Sequence, residues 1–241
     1  MAGPDEAQAT TPGDTPSADT SSADTSSADT SSGDRSTGDG DRVAYYDTVL
    51  AALPDPESFT VLVVAGARRE EVAQLLGVDL TRPVAWEDIG MDELDETGWA
   101  LVEIEGGVLA VEPTGFGDPA VETLRALSAG GRAAAVLTSN IEAFERFGAA
   151  RNGELLFDAA EFMYIEDPEI VPAEIRPLFD LVWDDLKGEP VIGEDGPNSS
   201  AVAMAMSEVV TRVVVTADDM AAVTGAPYFS APSLVYAGSD E

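Results

Sequence analysis

The sequence predicts an α+β protein, in which a mainly antiparallel sheet of about six strands packs with helices between a disordered N-terminal tail and a helical C-terminal part. Three observations lead to this class. No large apolar residue occurs between Met1 and Val43, so the start of the chain has nothing to bury. Short apolar runs are joined by Gly106-Gly107 and Asn152-Gly153, which are turns typical of antiparallel hairpins. Further on, apolar side chains recur at helical spacing.

The first segment is a repeat that reads Ser-Ala-Asp-Thr-Ser. Its aspartates recur every five residues, at Asp14, Asp19, Asp24, Asp29, Asp34 and Asp39. Because such a segment cannot offset the entropy lost on ordering, we predict that residues 1–42 are a disordered acidic tail. Repeat slippage explains the pattern more simply than a spacer or a Ser/Thr modification platform. Residues 43–241 are predicted to form a single α+β domain, with a sheet-containing core at 43–166 and a mostly helical extension at 167–241.

The predicted core begins with a helix, a strand and a second helix. One helical face is formed by Val43, Tyr46, Leu50 and Leu53. Residues 58–65 (SFTVLVVA) are compact and β-branched, as in a buried strand. Residues 67–76 follow as a helix, and Gly77 is its predicted C-terminal cap.

Two hairpins and a helix complete the predicted core. Further strands are predicted at 99–105, 108–112, 132–139, 141–150 and 154–158. Between the hairpins, Asp118 has the side chain of an N-cap and Pro119 suits the first helical position. The helix that they open is predicted to end at Gly130.

The C-terminal part contains several prolines and then two helical patterns. A helical stripe is formed by Val202, Met206, Val209, Val210 and Val213. Thr216 and Asp219 have the spacing of a capping box, which predicts a last short helix that ends at Gly225.

The charge of the chain limits its partners. It carries 46 acidic and 12 basic side chains, a net charge of −34, and Lys187 is its one lysine. Nucleic acids and anionic membranes need basic side chains, so we expect neither and favour a basic protein as the partner. Few lysines among many acids also indicate adaptation to salt. A cytoplasmic location is expected, because no secretory signal is present and the longest apolar run, near residues 61–67, is too short to span a membrane.

The missing residue types exclude several chemistries. The chain has no histidine and no cysteine, so a Ser-His-Asp triad, a thiol nucleophile and His- or Cys-ligated metal are excluded. Residues 115–120 match a dinucleotide-binding pattern, but Pro119 lacks the N–H that would face a phosphate. Adjacent carboxylate pairs occur at the frequency that the acidic composition predicts. We therefore predict no cofactor and no metal.

Several sequence blocks carry a family resemblance. They are Val63–Gly77, GWALVEIE from Gly98, VEPTGFG from Val111, LSAGGRA from Leu127 and RNGELLFD from Arg151. With these blocks, the stretch from Ser58 to about Gly225 resembles a family of uncharacterised actinobacterial proteins known only as a domain of unknown function. The resemblance implies a fold and no activity.

The resemblance also points to Trp99, Glu112 and Asn140 as a candidate partner or ligand site. The simpler interpretations are a core tryptophan, a solvated acid at a strand end and a turn asparagine.

Three functions remain open. The first is a non-enzymatic protein-binding or regulatory module, which the missing catalytic residue types favour. The second is a small carboxylate-dependent hydrolase or Mg²⁺-assisted enzyme, with Glu112 as base and Asn140 orienting the substrate. The third is an acidic decoy or immunity-type inhibitor of a basic partner. The sequence does not decide whether the protein is an enzyme, but its composition favours a protein without enzymatic activity.

Overall fold

The computed structural model describes residues 38–85, 88–89, 96–140, 144–165, 167–184, 189–190 and 196–233. Its strands are β1 (Phe59–Ala65), β2 (Pro83–Val84), β3 (Glu96–Ile104), β4 (Gly107–Glu112), β5 (Ala133–Ser139), β6 (Glu145–Arg151), β7 (Glu154–Ala160), β8 (Trp183–Asp184), β9 (Glu189–Pro190) and β10 (Tyr228–Pro232). Its α-helices are α1 (Asp39–Leu50), α2 (Arg69–Leu76), α3 (Val121–Ser128), α4 (Arg176–Phe179), α5 (Ser199–Thr211) and α6 (Ala217–Thr224).

Within the described ranges, eight strands form one antiparallel sheet in the order β2-β10-β3-β4-β1-β5-β6-β7, and β8 pairs with β9 separately. The α+β class is confirmed, but the expected number of about six strands is wrong. The two additional strands are the edge strand β2, which has only two residues, and β10, which lies in the part predicted to be helical. β10 pairs with β3, a strand about 130 positions away in the chain. A local sequence pattern does not predict a pairing over such a distance.

Both faces of the sheet are buried. On the first face, Val61 and Val63 of β1 pack in a core with α1, α4, α5 and α6. On the second face, Leu62 and Val64 pack in another core with α2 and α3. Burial on both sides explains why β1 reads as a continuous apolar run instead of an alternating one. None of the described helices combines the length and the apolar character needed to span a bilayer.

The turns that the sequence predicted are confirmed. Gly77 ends α2 with a left-handed φ of 73°, the conformation that a glycine cap provides. Asn152 and Gly153 join β6 to β7 with φ values of 55° and 81°, as the hairpin turn requires. The capping box at the start of α6 is also present, since the Thr216 side chain accepts a hydrogen bond from the Asp219 amide.

The predicted N-cap at Asp118 is wrong. α3 begins at Val121 and its N-cap is Ala120. Asp118 instead forms an ion pair with Arg146 of β6, because a charged partner is available there. The strand predicted to begin at residue 141 begins at Glu145, and residues 141–143 lie outside the described residues.

The first helix begins earlier than its apolar pattern indicates. α1 starts at Asp39, within the segment 1–42 that the sequence assigns to the tail, and the earlier part of that tail, residues 1–37, lies outside the described residues. Arg42 pairs with Glu208 of α5 at 3.4 Å, and Tyr46 donates a hydrogen bond to the same carboxylate at 2.8 Å. These contacts hold the first turns of α1 against α5.

Candidate functional site

Glu112 ends β4 under a loop that folds back over its carboxylate. The β4–α3 loop (residues 113–120) supplies hydrogen bonds from the Thr114 amide at 3.1 Å, from the Thr114 hydroxyl, and from the Gly117 amide at 3.2 Å. Thr97 of β3 donates a further bond at 2.5 Å. Both carboxylate oxygens are thus engaged, and Glu112 is 0 % exposed.

The electrostatic state of Glu112 follows from this enclosure. Burial raises the pKa of the carboxyl, and the hydrogen bonds from Thr114, Thr97 and Gly117 oppose the rise. A general base must come within hydrogen-bond reach of its substrate. The enclosed carboxylate binds the loop in this conformation, and no substrate atom can reach it.

Trp99 lies beside Glu112. Its side chain is 0 % exposed and packs in the core of the second face. Gly117 brings the two residues together, because a Cβ at this position would lie 2.6 Å from Glu112 Cγ and 3.1 Å from the Trp99 ring. Within the described part of the chain, Trp99 Nε1 has no hydrogen-bond partner. Trp99 therefore has the packing of a core tryptophan.

Asn140 closes the turn that follows β5. Its side-chain Oδ1 accepts a hydrogen bond from the backbone amide of Phe144 at 3.2 Å. Its backbone amide donates a hydrogen bond to the Phe144 carbonyl at 3.1 Å. A Cβ at Gly115 would lie 2.9 Å from Asn140 Cβ. The structure thus brings Trp99 and Glu112 together, and it places Asn140 against another part of the same β4–α3 loop.

A buried ion-pair network, which was not predicted from the sequence, lies at this loop. Arg146 pairs with Asp118 and, at 2.8 Å, with Asp158 of β7, and it donates to the Pro119 carbonyl at 2.8 Å. Burial lowers the pKa of Arg146, but the carboxylates of Asp118 and Asp158 outweigh it and hold that pKa above its ordinary value. The network ties the β4–α3 loop to β6 and β7. The signal for this network in the sequence was Arg146, a charged residue within a strand of small and apolar residues.

Among the described residues, a cavity with acidic lining lies at the ends of β5, β6 and β7. A cavity of about 220 Å³ is lined there by Ser139, Glu145, Glu161, Met163 and Tyr164, and we call it the acidic cavity. Ser139 pairs with Glu145 across β5 and β6. Glu145 in turn opposes Glu161, because the adjacent Arg146 pairs with Ala160 and the Glu161 amide donates to the Glu145 carbonyl.

The two oxygens of the Glu145 carboxylate differ in their surroundings. Oε1 accepts a hydrogen bond at 2.8 Å from the hydroxyl of Ser199, the first residue of α5. Oε2 is buried and has no hydrogen-bond donor among the described residues. Burial raises the pKa of Glu145, and the bond from Ser199 opposes the rise. Among the described residues, Glu145 therefore has one carboxylate oxygen with a hydrogen-bond donor and one without.

Part of the wall of the acidic cavity is apolar and aromatic, because Met163 and Tyr164 line it. Phe162–Tyr164 form a 3₁₀ turn directly after β7. Phe162 anchors this turn in the core, with its ring 6.3 Å from that of Phe147. Tyr164, by contrast, is 53 % exposed, so its ring stands at the rim of the cavity.

Glu161 is the residue after β7 and has a left-handed φ of 51°, so what it shares with Glu145 is the backbone hydrogen bond and the lining of one cavity. Within the described ranges, no Arg or Lys forms an ion pair with Glu145 or Glu161. The signal was present in the sequence, since Glu145 and Glu161 flank the Asn152-Gly153 turn at nearly equal distances. From the sequence, this hairpin predicted strand pairing only.

The described residues contain no group of three or more acidic side chains that could hold a metal ion. The side chains that line the acidic cavity include two carboxylates, the Ser139 hydroxyl and the Tyr164 hydroxyl. Ca²⁺ takes six to eight oxygen ligands, and Mg²⁺ demands near-ideal octahedral geometry.

Comparisons with known proteins agree with the resemblance found in the sequence. Neither the curated proteins nor the solved structures include a match to this chain. A family model matches residues 42–231, which include the eight-stranded sheet except the last residue of β10, and all but the first turn of α1. The chain therefore belongs to the family of unknown function DUF6461.

Proposed function

We propose that this protein is a non-enzymatic binding module, and that it recognises a positively charged group of a basic protein partner in the acidic cavity. The observation that carries the proposal is the presence of two carboxylates, Glu145 and Glu161, in the lining of one cavity, without an Arg or Lys ion-pair partner among the described residues. A bound cation would attract both carboxylates. Natural proteins retain such locally unfavourable arrangements mainly at functional sites.

The rim of the cavity supports a protein partner. Tyr164 exposes an aromatic ring beside the acids, and aromatic residues are enriched where proteins bind one another. The net charge of −34 would attract a basic protein over distances comparable to the Debye length and accelerate its association. The same charge disfavours nucleic acids and anionic membranes as partners.

The chemistry of the lining residues supports binding without catalysis. The Ser139 hydroxyl donates its proton to the Glu57 carbonyl at 3.3 Å. A serine nucleophile needs a neighbouring base that removes this proton, and a backbone carbonyl cannot serve as one. The Glu112 carboxylate is enclosed by its own donors. Neither group is placed for a reaction with a ligand in the acidic cavity.

The test is the binding of a fluorescein-labelled peptide of alternating Gly, Lys and Arg, measured by anisotropy in 0.15 M NaCl. Wild-type protein is compared with Glu145→Gln/Glu161→Gln and with the control Glu105→Gln/Glu122→Gln. The control removes two exposed carboxylates, one of them on α3, which covers the second face of the sheet. Circular dichroism spectra verify that all three proteins fold.

We expect the cavity variant to bind at least about tenfold more weakly, which corresponds to about 1.4 kcal/mol, and the control to bind within about twofold of wild type, as rim charges do. Equal losses in the two variants would mean that binding is diffuse surface attraction. Wild-type protein that binds this peptide no better than a Gly/Ser peptide would contradict the proposed function itself.

A further inference from the structure

We propose that Asn152 is a site of spontaneous deamidation, and that the Ser128 hydroxyl suppresses this modification in the folded protein by holding the amide proton of Gly153. Asn152 and Gly153 form the turn between β6 and β7, and they are the one Asn-Gly pair of the chain. This modification is independent of the acidic cavity and of the proposed function.

An asparagine that precedes a glycine has a reaction of its own. The backbone nitrogen of the glycine loses its proton and attacks the side-chain Cγ of the asparagine, and the side-chain nitrogen leaves as ammonia. Water then opens the resulting succinimide, either at Cγ, which gives aspartate, or at the backbone carbonyl carbon, which gives isoaspartate. Because glycine has no Cβ to shield its nitrogen, an unfolded chain reacts faster at this pair than where a larger residue follows asparagine.

The folded turn leaves the asparagine accessible but constrains the glycine. Asn152 is exposed, so water and dissolved bases reach its side chain. Its backbone amide donates a hydrogen bond to the Arg132 carbonyl at 2.9 Å, and the φ values of 55° at Asn152 and 81° at Gly153 are those of a tight turn. The atom that must react, the Gly153 nitrogen, faces the end of α3.

Ser128, the last residue of α3, controls the Gly153 nitrogen. It is 0 % exposed, and its Oγ accepts a hydrogen bond from the Gly153 amide at 3.1 Å. Its own hydroxyl donates to the Arg125 carbonyl at 3.1 Å, which leaves a lone pair directed at Gly153. A neutral hydroxyl is too weak a base to remove an amide proton, so this bond keeps the proton on the nitrogen. The reaction therefore requires the turn to open away from α3 first.

Deamidation would change both the charge and the backbone of the hairpin. Each product carries a new carboxylate, in a chain whose net charge is already −34. Isoaspartate also lengthens the backbone of the turn by one methylene, and the geometry of a hairpin turn sets the register of its strands. The Ser128 bond thus protects the register of β6 and β7, across which Arg146 pairs with Asp158 at 2.8 Å.

The experiment compares deamidation of the full-length protein at pH 8 in the folded state and in urea. A Glu-specific protease, used in mildly acidic solution where the reaction is slow, releases residues 146–154, and chromatography with mass spectrometry measures both products. Ser128→Ala removes the acceptor. Ser207→Ala is the matched control, because it removes a buried hydroxyl that has no partner among the described residues. Val223→Ala removes buried methyl groups of α6 and lowers global stability.

We expect folded wild-type protein and Ser207→Ala to deamidate at Asn152 at least about tenfold more slowly than the unfolded chain, because the turn must open first. Folded Ser128→Ala should react about three- to tenfold faster than folded wild type, the effect of losing one hydrogen bond between neutral groups. In urea, all variants should react at the same rate, because the residues next to Asn152 are unchanged. Hydrogen exchange should show a protected Gly153 amide in folded wild type.

Four results would overturn the proposal. The first is a Gly153 amide that exchanges as fast as in the unfolded chain, a measurement on wild type that is valid even if Ser128→Ala does not fold. The second is a folded wild-type protein that deamidates as fast as the unfolded chain. The third is an equal rate in folded Ser128→Ala and folded wild type. The fourth is an acceleration in Val223→Ala as large as in Ser128→Ala, which would mean that global unfolding controls the reaction.

Discussion

Glu145 and Glu161 oppose each other at the end of the β6–β7 hairpin, where the amide of Glu161 donates a hydrogen bond to the carbonyl of Glu145. The backbone bond holds the two residues in register, while their side chains line one cavity. Within the described chain, neither carboxylate has an Arg or Lys partner. A protein that keeps this pair gives up stability at a place where a cation can restore it.

The first prediction concerns the stability of the free protein. Glu145→Gln/Glu161→Gln removes the repulsion between opposed carboxylates, worth about 0.2–1 kcal/mol. Without any ligand, we therefore expect a melting temperature about 1–3 °C higher than that of wild type. Glu105→Gln/Glu122→Gln, which changes the net charge equally, should give a smaller rise. A cavity variant that melts below this control would show that the carboxylates stabilise the fold.

The second prediction concerns the pH dependence of binding. Burial raises the pKa of Glu145 above its ordinary value of 4.5, so part of this carboxyl is protonated in mildly acidic solution. A bound ammonium favours the ionised form and lowers the pKa. We expect the affinity for the labelled basic peptide to increase as the pH rises from 4.5 through the raised pKa. Calorimetry in two buffers with different ionisation enthalpies should detect proton release in that range. Glu145→Gln should reduce this trend.

The third prediction concerns the close approach at Gly117. A Cβ there would lie 2.6 Å from Glu112 Cγ and 3.1 Å from the Trp99 ring. Gly117→Ala should therefore lower the free energy of unfolding by about 1–3 kcal/mol, the range for overpacking. Gly40→Ala is the control, because a Cβ at that helical position meets no atom within 4 Å and should add up to about 1 kcal/mol. Urea unfolding measures both, and a neutral Gly117→Ala would contradict the described packing.

The fourth prediction concerns the pH dependence of stability and follows from Glu112. Its pKa is raised above 4.5 in the folded protein, so the folded state binds the proton more tightly than the unfolded state does. The associated stability is complete below about pH 4.5 and is lost as the pH rises through the raised pKa. In Glu112→Gln, which does not titrate, the free energy of unfolding should decline less between pH 5 and pH 8. An equal decline in both proteins would contradict the shift.

The fifth prediction concerns salt. Residues 43–241 hold 37 acidic and ten basic side chains, so self-repulsion should lower stability at low ionic strength. The Debye length falls from about 30 Å at 0.01 M to about 3 Å at 1 M, and the melting temperature should rise over this range of NaCl. Most of the gain should survive deletion of residues 1–37, which precede α1. A flat or falling melting temperature would contradict adaptation to salt.

The candidate site was only partly predictable from the sequence. Trp99, Glu112 and Asn140 were chosen from the family resemblance, and the structure places all three against the β4–α3 loop. The sequence could not reveal that Thr97, Thr114 and Gly117 enclose the Glu112 carboxylate. Enclosure depends on how a loop folds over a strand end, and acids are too frequent in this chain for a single one to be distinctive.

The sequence by itself determined the elements whose chemistry is local. Gly77 caps α2, Asn152-Gly153 turns a hairpin, and Thr216 caps α6, because each conformation depends on the residue at that position and on neighbours within a few positions. Tertiary structure decided that β10 pairs with β3 and that the Glu161 amide bonds to the Glu145 carbonyl. It also decided that Asp118 pairs with Arg146 and does not cap a helix. Each of these contacts joins residues that are far apart in the chain or depends on the exact register of two strands. These contacts stabilise the protein only when the packed sheet brings the residues together, so no local sequence pattern predicts them.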